Sequence, residues 1–134
     1  MNPTAAATES STGVRDLAER FVEMCNAGKN FDVMRTMYAP DIVSVEGDGS
    51  ETKGQAAVIK KSADWAANYT IGHEKVLGPY FNGASDDAGK FAVHFTFEVT
   101  PKSGGSVRIL EEVALYTVED GLITREQFFY AGQR

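Results

Sequence analysis

Residues 116–130 read YTVEDGLITREQFFY, two apolar-alternating runs joined by Glu119-Asp120-Gly121. Alternation with period two marks strands, and an acidic pair before glycine marks the turn between them. The second run, Leu122 to Tyr130, sets Glu126, Phe128 and Tyr130 on one face and Arg125, Gln127 and Phe129 on the other. An acid in a row of aromatics fits a pocket holding a carboxyl group, or a sheet face partly open to water.

Working outward, Val107–Val118 is a long strand reached through the hairpin turn PKSGG at 101–105. Before it, FAVHFTFEV at 91–99 alternates, with Phe91, Val93, Phe95, Phe97 and Val99 on one side. His73–Leu77 and a piece around Tyr80 read as further strand, ahead of the polar connection NGASDDAGK. The first half is helical. Val14, Leu17, Phe21, Met24 and Cys25 form one apolar stripe, with Ser11 or Thr12 as its cap and Asn26-Ala27-Gly28 as its exit. Phe31 to Tyr38 suggests a short helix stopped by Pro40, followed by a strand from Ile42 to Glu46 and a GDGS turn. Gln55–Tyr69 makes a third helix, with Val58, Ser62, Trp65, Ala66 and Tyr69 near one side. Helices followed by an antiparallel meander give an α+β domain over 13–134, behind a disordered tail at 1–12.

The 134 residues suit one domain with room for a core and one cavity. The formal charge of −6 and the lack of a basic run disfavour nucleic acid. No apolar run reaches membrane-spanning length, and residues 1–12 lack the pattern of a signal peptide. Cys25 is the single cysteine, so no internal disulfide forms, which fits a cytoplasmic location. Two separated histidines and that one thiol give no metal-ligand motif, and no glycine-rich phosphate loop occurs. No cofactor or metal is expected.

The segments RFVEMCNAGKNFDVMRTMYAPDIV (20–43), KGQAAV (53–58), VHFTFEV (93–99) and the closing YTVEDGLITREQFFY together resemble the nuclear transport factor 2-like superfamily. Within it the chain is most similar to SnoaL-like proteins, a group of polyketide cyclase and ketosteroid isomerase-like folds. The resemblance implies a cone-shaped, cystatin-like shell, with N-terminal helices packed on a strongly curved antiparallel sheet around a hydrophobic pocket. One such shell serves isomerases, dehydratases, cyclases, binders and association modules, so fold alone does not fix chemistry.

Carried across residue by residue, the isomerase base falls on Glu46 in APDIVSVEG. The oxyanion-hole tyrosine of the first helix falls on Phe21, and the protonated acid of the penultimate strand on Val113, counted back from Gly121. With that donor pair absent, the family's ketosteroid isomerisation is not expected. The same comparison turns Glu126, Phe128, Tyr130, Val93, Phe95, Phe97, Val113 and Leu115 toward the pocket. Glu46, Glu126 and Tyr130 are the catalytic candidates. Phe21, Tyr38, Trp65, Tyr69, Phe95, Phe97, Glu111, Val113 and Phe128 are the ligand-binding candidates. Each carboxylate has a plainer reading as a solvated or ion-paired surface group, and each aromatic as core. Three functions stay open: a cofactor-independent isomerase, lyase or cyclase for a small hydrophobic molecule; a noncatalytic binder; and a homodimeric module associating through the outer sheet face, where His94 and Glu98 lie.

Overall fold

The first helix, α1 (Val14–Asn26), buries Val14, Leu17, Ala18, Phe21 and Cys25, one stripe at helical spacing. In this computed structural model, which describes residues 13–82 and 88–131, Gly13 is its N-cap and gives no side-chain hydrogen bond. The Ser11 or Thr12 cap, the tail at 1–12 and most of the NGASDDAGK connection lie outside the described residues. Gly28, at φ 78°, ends the helix; its N–H reaches the Cys25 carbonyl, and the Lys29 N–H reaches that of Met24.

Helix α2 (Asn30–Met37) leads directly into strand β1 (Tyr38–Val45), which starts two residues ahead of Pro40. The segment after the GDGS turn forms a short strand, β2 (Glu51–Lys53), whose three residues are too few to show alternation. Helix α3 (Gln55–Ala66) follows, three residues shorter than expected at its end because strand β3 (Tyr69–Asn82) begins at Tyr69. Strands β4 (Gly89–Pro101), β5 (Arg108–Glu119) and β6 (Leu122–Phe129) complete a six-stranded sheet of order β2-β1-β6-β5-β4-β3.

The β3–β6 meander is antiparallel, whereas β1 runs parallel to β6, so the sheet is mixed. The helices lie on the concave face. There Phe21 meets Phe91 edge-on at 5.5 Å between ring centroids and Tyr116 at 4.6 Å, closing the core under α1. Among the described residues no helix is long and apolar enough to cross a membrane.

One bulge sets which β6 residues stand opposite the core-facing residues of β5. Glu119 pairs with Leu122 and Val118 with Ile123, but Thr117 pairs with Arg125, leaving Thr124 as an extra residue on β6. A straight ladder would set Leu115 against Glu126 and Val113 against Phe128. The bulge instead pairs Tyr116 with Glu126 and Ala114 with Phe128. Glu112, Ala114 and Tyr116 therefore point inward, and Glu111, Val113 and Leu115 outward. This corrects the placement of Val113 and Glu111 in the pocket. Val113 is 43% exposed on the outer face, and Glu111 there stands 3.2 Å from His94 Nε2.

Candidate functional site

The inner face of β6, the end of β1 and helix α3 converge on a run of hydrogen-bonded side chains. Glu126 is only 3% exposed. The Tyr38 hydroxyl, from the first residue of β1, donates to its Oε1 at 2.5 Å. The register irregularity between Tyr38 and Val43 lets Ser44, paired with Glu126 in the parallel ladder, reach the same carboxyl group. Tyr116, opposite Glu126 on β5, hydrogen-bonds the Tyr38 hydroxyl from the other side.

Lys61 extends the run. From α3 its Nζ donates to Ser44 Oγ at 2.9 Å and to Glu46 Oε2 at 2.6 Å, and it stands 5.9 Å from the Phe128 ring centroid. Glu46 follows β1 and opens a turn closed by the Gly49 N–H on its carbonyl. Its Oε1 accepts from the Tyr130 hydroxyl at 3.4 Å, and that hydroxyl accepts from the Gly47 N–H at 3.2 Å. A Cβ at Gly47 would fall 2.6 Å from the Tyr130 ring, so the tyrosine can lie here only against glycine.

This chain borders a cavity of about 610 Å³. Of the residues expected in a pocket, Glu46, Glu126, Tyr130, Phe21, Tyr38, Trp65, Tyr69, Phe95, Phe97 and Phe128 all line it, and Val93, Glu111, Val113 and Leu115 do not. Glu112, 8% exposed, occupies the inward position that the count from Gly121 gave to Val113. An inward carboxyl thus stands on the penultimate strand after all, while Phe21 offers no hydroxyl.

Burial pushes the Glu126 carboxyl above its ordinary range; the hydrogen bonds from Tyr38 and Ser44 and the Lys61 charge oppose that rise, and Glu46 adds to it. Burial also pushes the Tyr38 and Tyr116 hydroxyls well up, reinforced by Glu126, so both stay protonated. The Cys25 thiol is raised to about 12, chiefly by burial and then by Glu74 and Glu126, which leaves it inert. Glu74 is raised by burial against a hydrogen bond from Asn30 Nδ2 at 2.9 Å. Among the described residues no three His, Cys, Asp or Glu side chains converge as metal ligands.

Lys61, Ser44, Tyr116, Asn30 and Glu74 were not singled out from the sequence. Two of them carried a signal. Lys61 lies three residues after Val58 and four before Trp65, on the stripe those residues define. Ser44 alternates with Ile42 on β1, both wholly buried.

Residues 12–130 match the SnoaL-like domain model, and the chain belongs to that family, within the nuclear transport factor 2-like superfamily. Among solved structures it is similar to a candidate SnoaL-like polyketide cyclase of Mesorhizobium loti, also labelled a carbohydrate phosphatase. The two share 37% identity over 87% of this chain and 98% of that one, with a TM-score of 0.79. A candidate polyketide cyclase of Xanthomonas campestris pv. campestris is 18% identical over 92% of this chain and 90% of its own, at a TM-score of 0.66. A protein of Xanthomonas campestris of unknown function with a cystatin-like fold is 18% identical over 90% and 92%, at 0.68. The last two likenesses carry the fold alone. No curated protein sequence matches the chain.

Proposed function

We propose that this SnoaL-like protein is a cofactor-independent proton-transfer enzyme, of the isomerase, lyase or cyclase kind, acting on a small hydrophobic molecule with an oxygen function. The observation that carries the reading is Glu126, a carboxyl group removed from bulk water yet lining an aromatic-walled cavity of about 610 Å³. A carboxyl raised by burial can hold its proton nearer neutrality and donate it to a substrate oxygen. Glu46, held against Lys61, is the complementary carboxylate.

For an enolisable substrate, Glu46 takes a carbon-bound proton as Glu126 gives one to the carbonyl oxygen. Collapse of the enol returns the Glu46 proton to the same or a different carbon and the oxygen's proton to Glu126, so charge and protons balance. The Tyr38 and Ser44 hydrogen bonds support the transient Glu126 carboxylate, and Lys61 fixes Glu46 beside it.

The test is hydrogen–deuterium exchange at the α-carbons of enolisable ketones such as 2-tetralone, followed by proton NMR in deuterated buffer. Exchange should be catalysed, and E126Q should slow it by about 100-fold or more. Exchange that matches buffer across the ketone series, or survives E126Q, would sink the proposal; saturable binding without exchange would instead support the noncatalytic reading.

We also propose a homodimer through the outer sheet face. Leu77, His94, Val113 and Phe129 stand in register across four strands, and the three apolar members are each more than 40% exposed. A row of this kind is self-complementary about a two-fold axis.

A further inference from the structure

Glu74 should not face the cavity by alternation. On β3, Tyr69 and Ile71 point inward, paired with Pro101 and Val99, so an unbroken strand would send His73 in and Glu74 out. The ladder is broken at that point. Gly72 pairs with Glu98 and Lys75 with Thr96, leaving His73 and Glu74 together opposite Phe97. His73 takes φ 53°, a left-handed conformation unfavourable for a residue with a Cβ. Its ring lies on the outer surface, 2.9 Å from Glu98 Oε1. The extra residue shifts the parity, and Glu74 and Val76 point inward.

Glu74 is thereby aimed at an aromatic corner. Phe97, the residue it opposes, meets the Trp65 ring edge-on at 6.1 Å, and Trp65 lies 4.9 Å from Tyr69. Asn30 Nδ2 fixes Oε2 at 2.9 Å, and no cation pairs with this carboxyl group among the described residues. Charge along the cavity wall is one-sided. Glu46, Glu74, Glu112 and Glu126 line it, with Lys61 the sole Lys or Arg among the described lining residues, and Lys61 is engaged by Glu46 and Ser44.

We propose that the Glu74 corner of the cavity is a subsite for an organic ammonium group, so that the ligand is a hydrophobic amine or quaternary ammonium compound. Aromatic faces attract a cation through their quadrupoles, and a fixed carboxylate supplies the counter-charge. A neutral or anionic ligand gains nothing from this arrangement. The inference rests on the cavity as a small-molecule site and not on whether Glu126 moves protons.

Trp65 is the chain's single tryptophan, so its fluorescence reports on this corner directly. The probes are benzyltrimethylammonium and neopentylbenzene, which share a shape and differ by one charge. The cation should quench Trp65 saturably and bind at least about tenfold more tightly than its neutral isostere. E74Q should remove about tenfold of the cation's affinity and leave neopentylbenzene within about twofold, which also shows that the variant is folded. Equal affinities in the wild type, or cation binding untouched by E74Q, would overturn the ammonium subsite while leaving the cavity reading intact. Parallel loss of both probes in E74Q would make Glu74 a scaffold residue and overturn it as well. Failure of both probes in the wild type would bring down the cavity reading too.

Discussion

Replacing Tyr38 with phenylalanine tests the core of the polar chain. The ring is buried beneath the sheet, and phenylalanine preserves that packing, so the hydroxyl alone is lost. Two hydrogen bonds go with it, the one donated to Glu126 and the one shared with Tyr116. Leaving a buried carboxyl short of a donor costs about 1–3 kcal/mol, and orphaning the Tyr116 hydroxyl adds about 1 kcal/mol. The sum, about 2–4 kcal/mol, should lower the melting temperature by roughly 6–16 °C for a chain of this size. Tyr116→Phe breaks only the second bond and should cost about 0.5–1.5 kcal/mol. The two bonds also differ in their response to pH. A hydrogen bond to an ionised carboxylate is stronger than one to its neutral form, so the Y38F cost should grow as pH rises and Glu126 ionises, whereas the Y116F cost should stay level. Urea denaturation of both variants between pH 4.5 and 8 reads this directly. A Y38F cost that is flat with pH, or no larger than that of Y116F, would refute the assignment of Tyr38 as the donor that stabilises the Glu126 carboxylate.

Three further outcomes follow from the same geometry. Glu126 is raised above its ordinary value of 4.5, so between that value and its folded pKa the native state binds more protons than the unfolded chain; stability should fall as pH rises through this window, and E126Q should flatten the slope in denaturation curves. Val113→Glu places a charge in the exposed row beside His94 and Phe129, and should break the proposed dimer, with a monomer mass by analytical ultracentrifugation where the wild type gives a dimer mass, and an unchanged fold by circular dichroism. Gly47→Ala puts a methyl group 2.6 Å from the Tyr130 ring, and should displace that ring from Glu46, visible in a crystal structure and as a several-fold loss of any exchange activity, with the melting temperature changed by only a few degrees.

The elements were legible because each is written in a local period. The α1 stripe, the alternation of FAVHFTFEV and the turn at Glu119-Asp120-Gly121 need only residues near one another in sequence. The inward set of β6 was legible for the same reason, since Glu126 and Phe128 share an unbroken stretch after Thr124. The facing of β5 was not, because carrying it across the turn from Glu126 and Phe128 assumes an unbroken pairing, and a single unpaired threonine on β6 resets that pairing. The run β1 to β6 posed a similar problem. Its parallel contact joins segments more than eighty residues apart, and nothing in YAPDIVSV announces which strand it will meet.

These irregularities are what assemble the site. Without Thr124, continued alternation from the buried Ile123 would turn Arg125 and Gln127 inward and put Glu126 on the outer surface. Without the extra residue at His73, Glu74 would point outward too. The break in the β1–β6 register brings Tyr38 and Ser44, six positions apart on one strand, onto the same carboxyl group. A regular sheet of the same composition would bury aliphatic and aromatic side chains and expose these acids, which is the cheaper arrangement for a carboxyl group. The inward acids cost stability, and their hydrogen bonds from Tyr38, Ser44 and Asn30 offset only part of it. That imbalance is what a binding or catalytic cavity would require, and it would be hard to account for if the cavity were merely a packing defect.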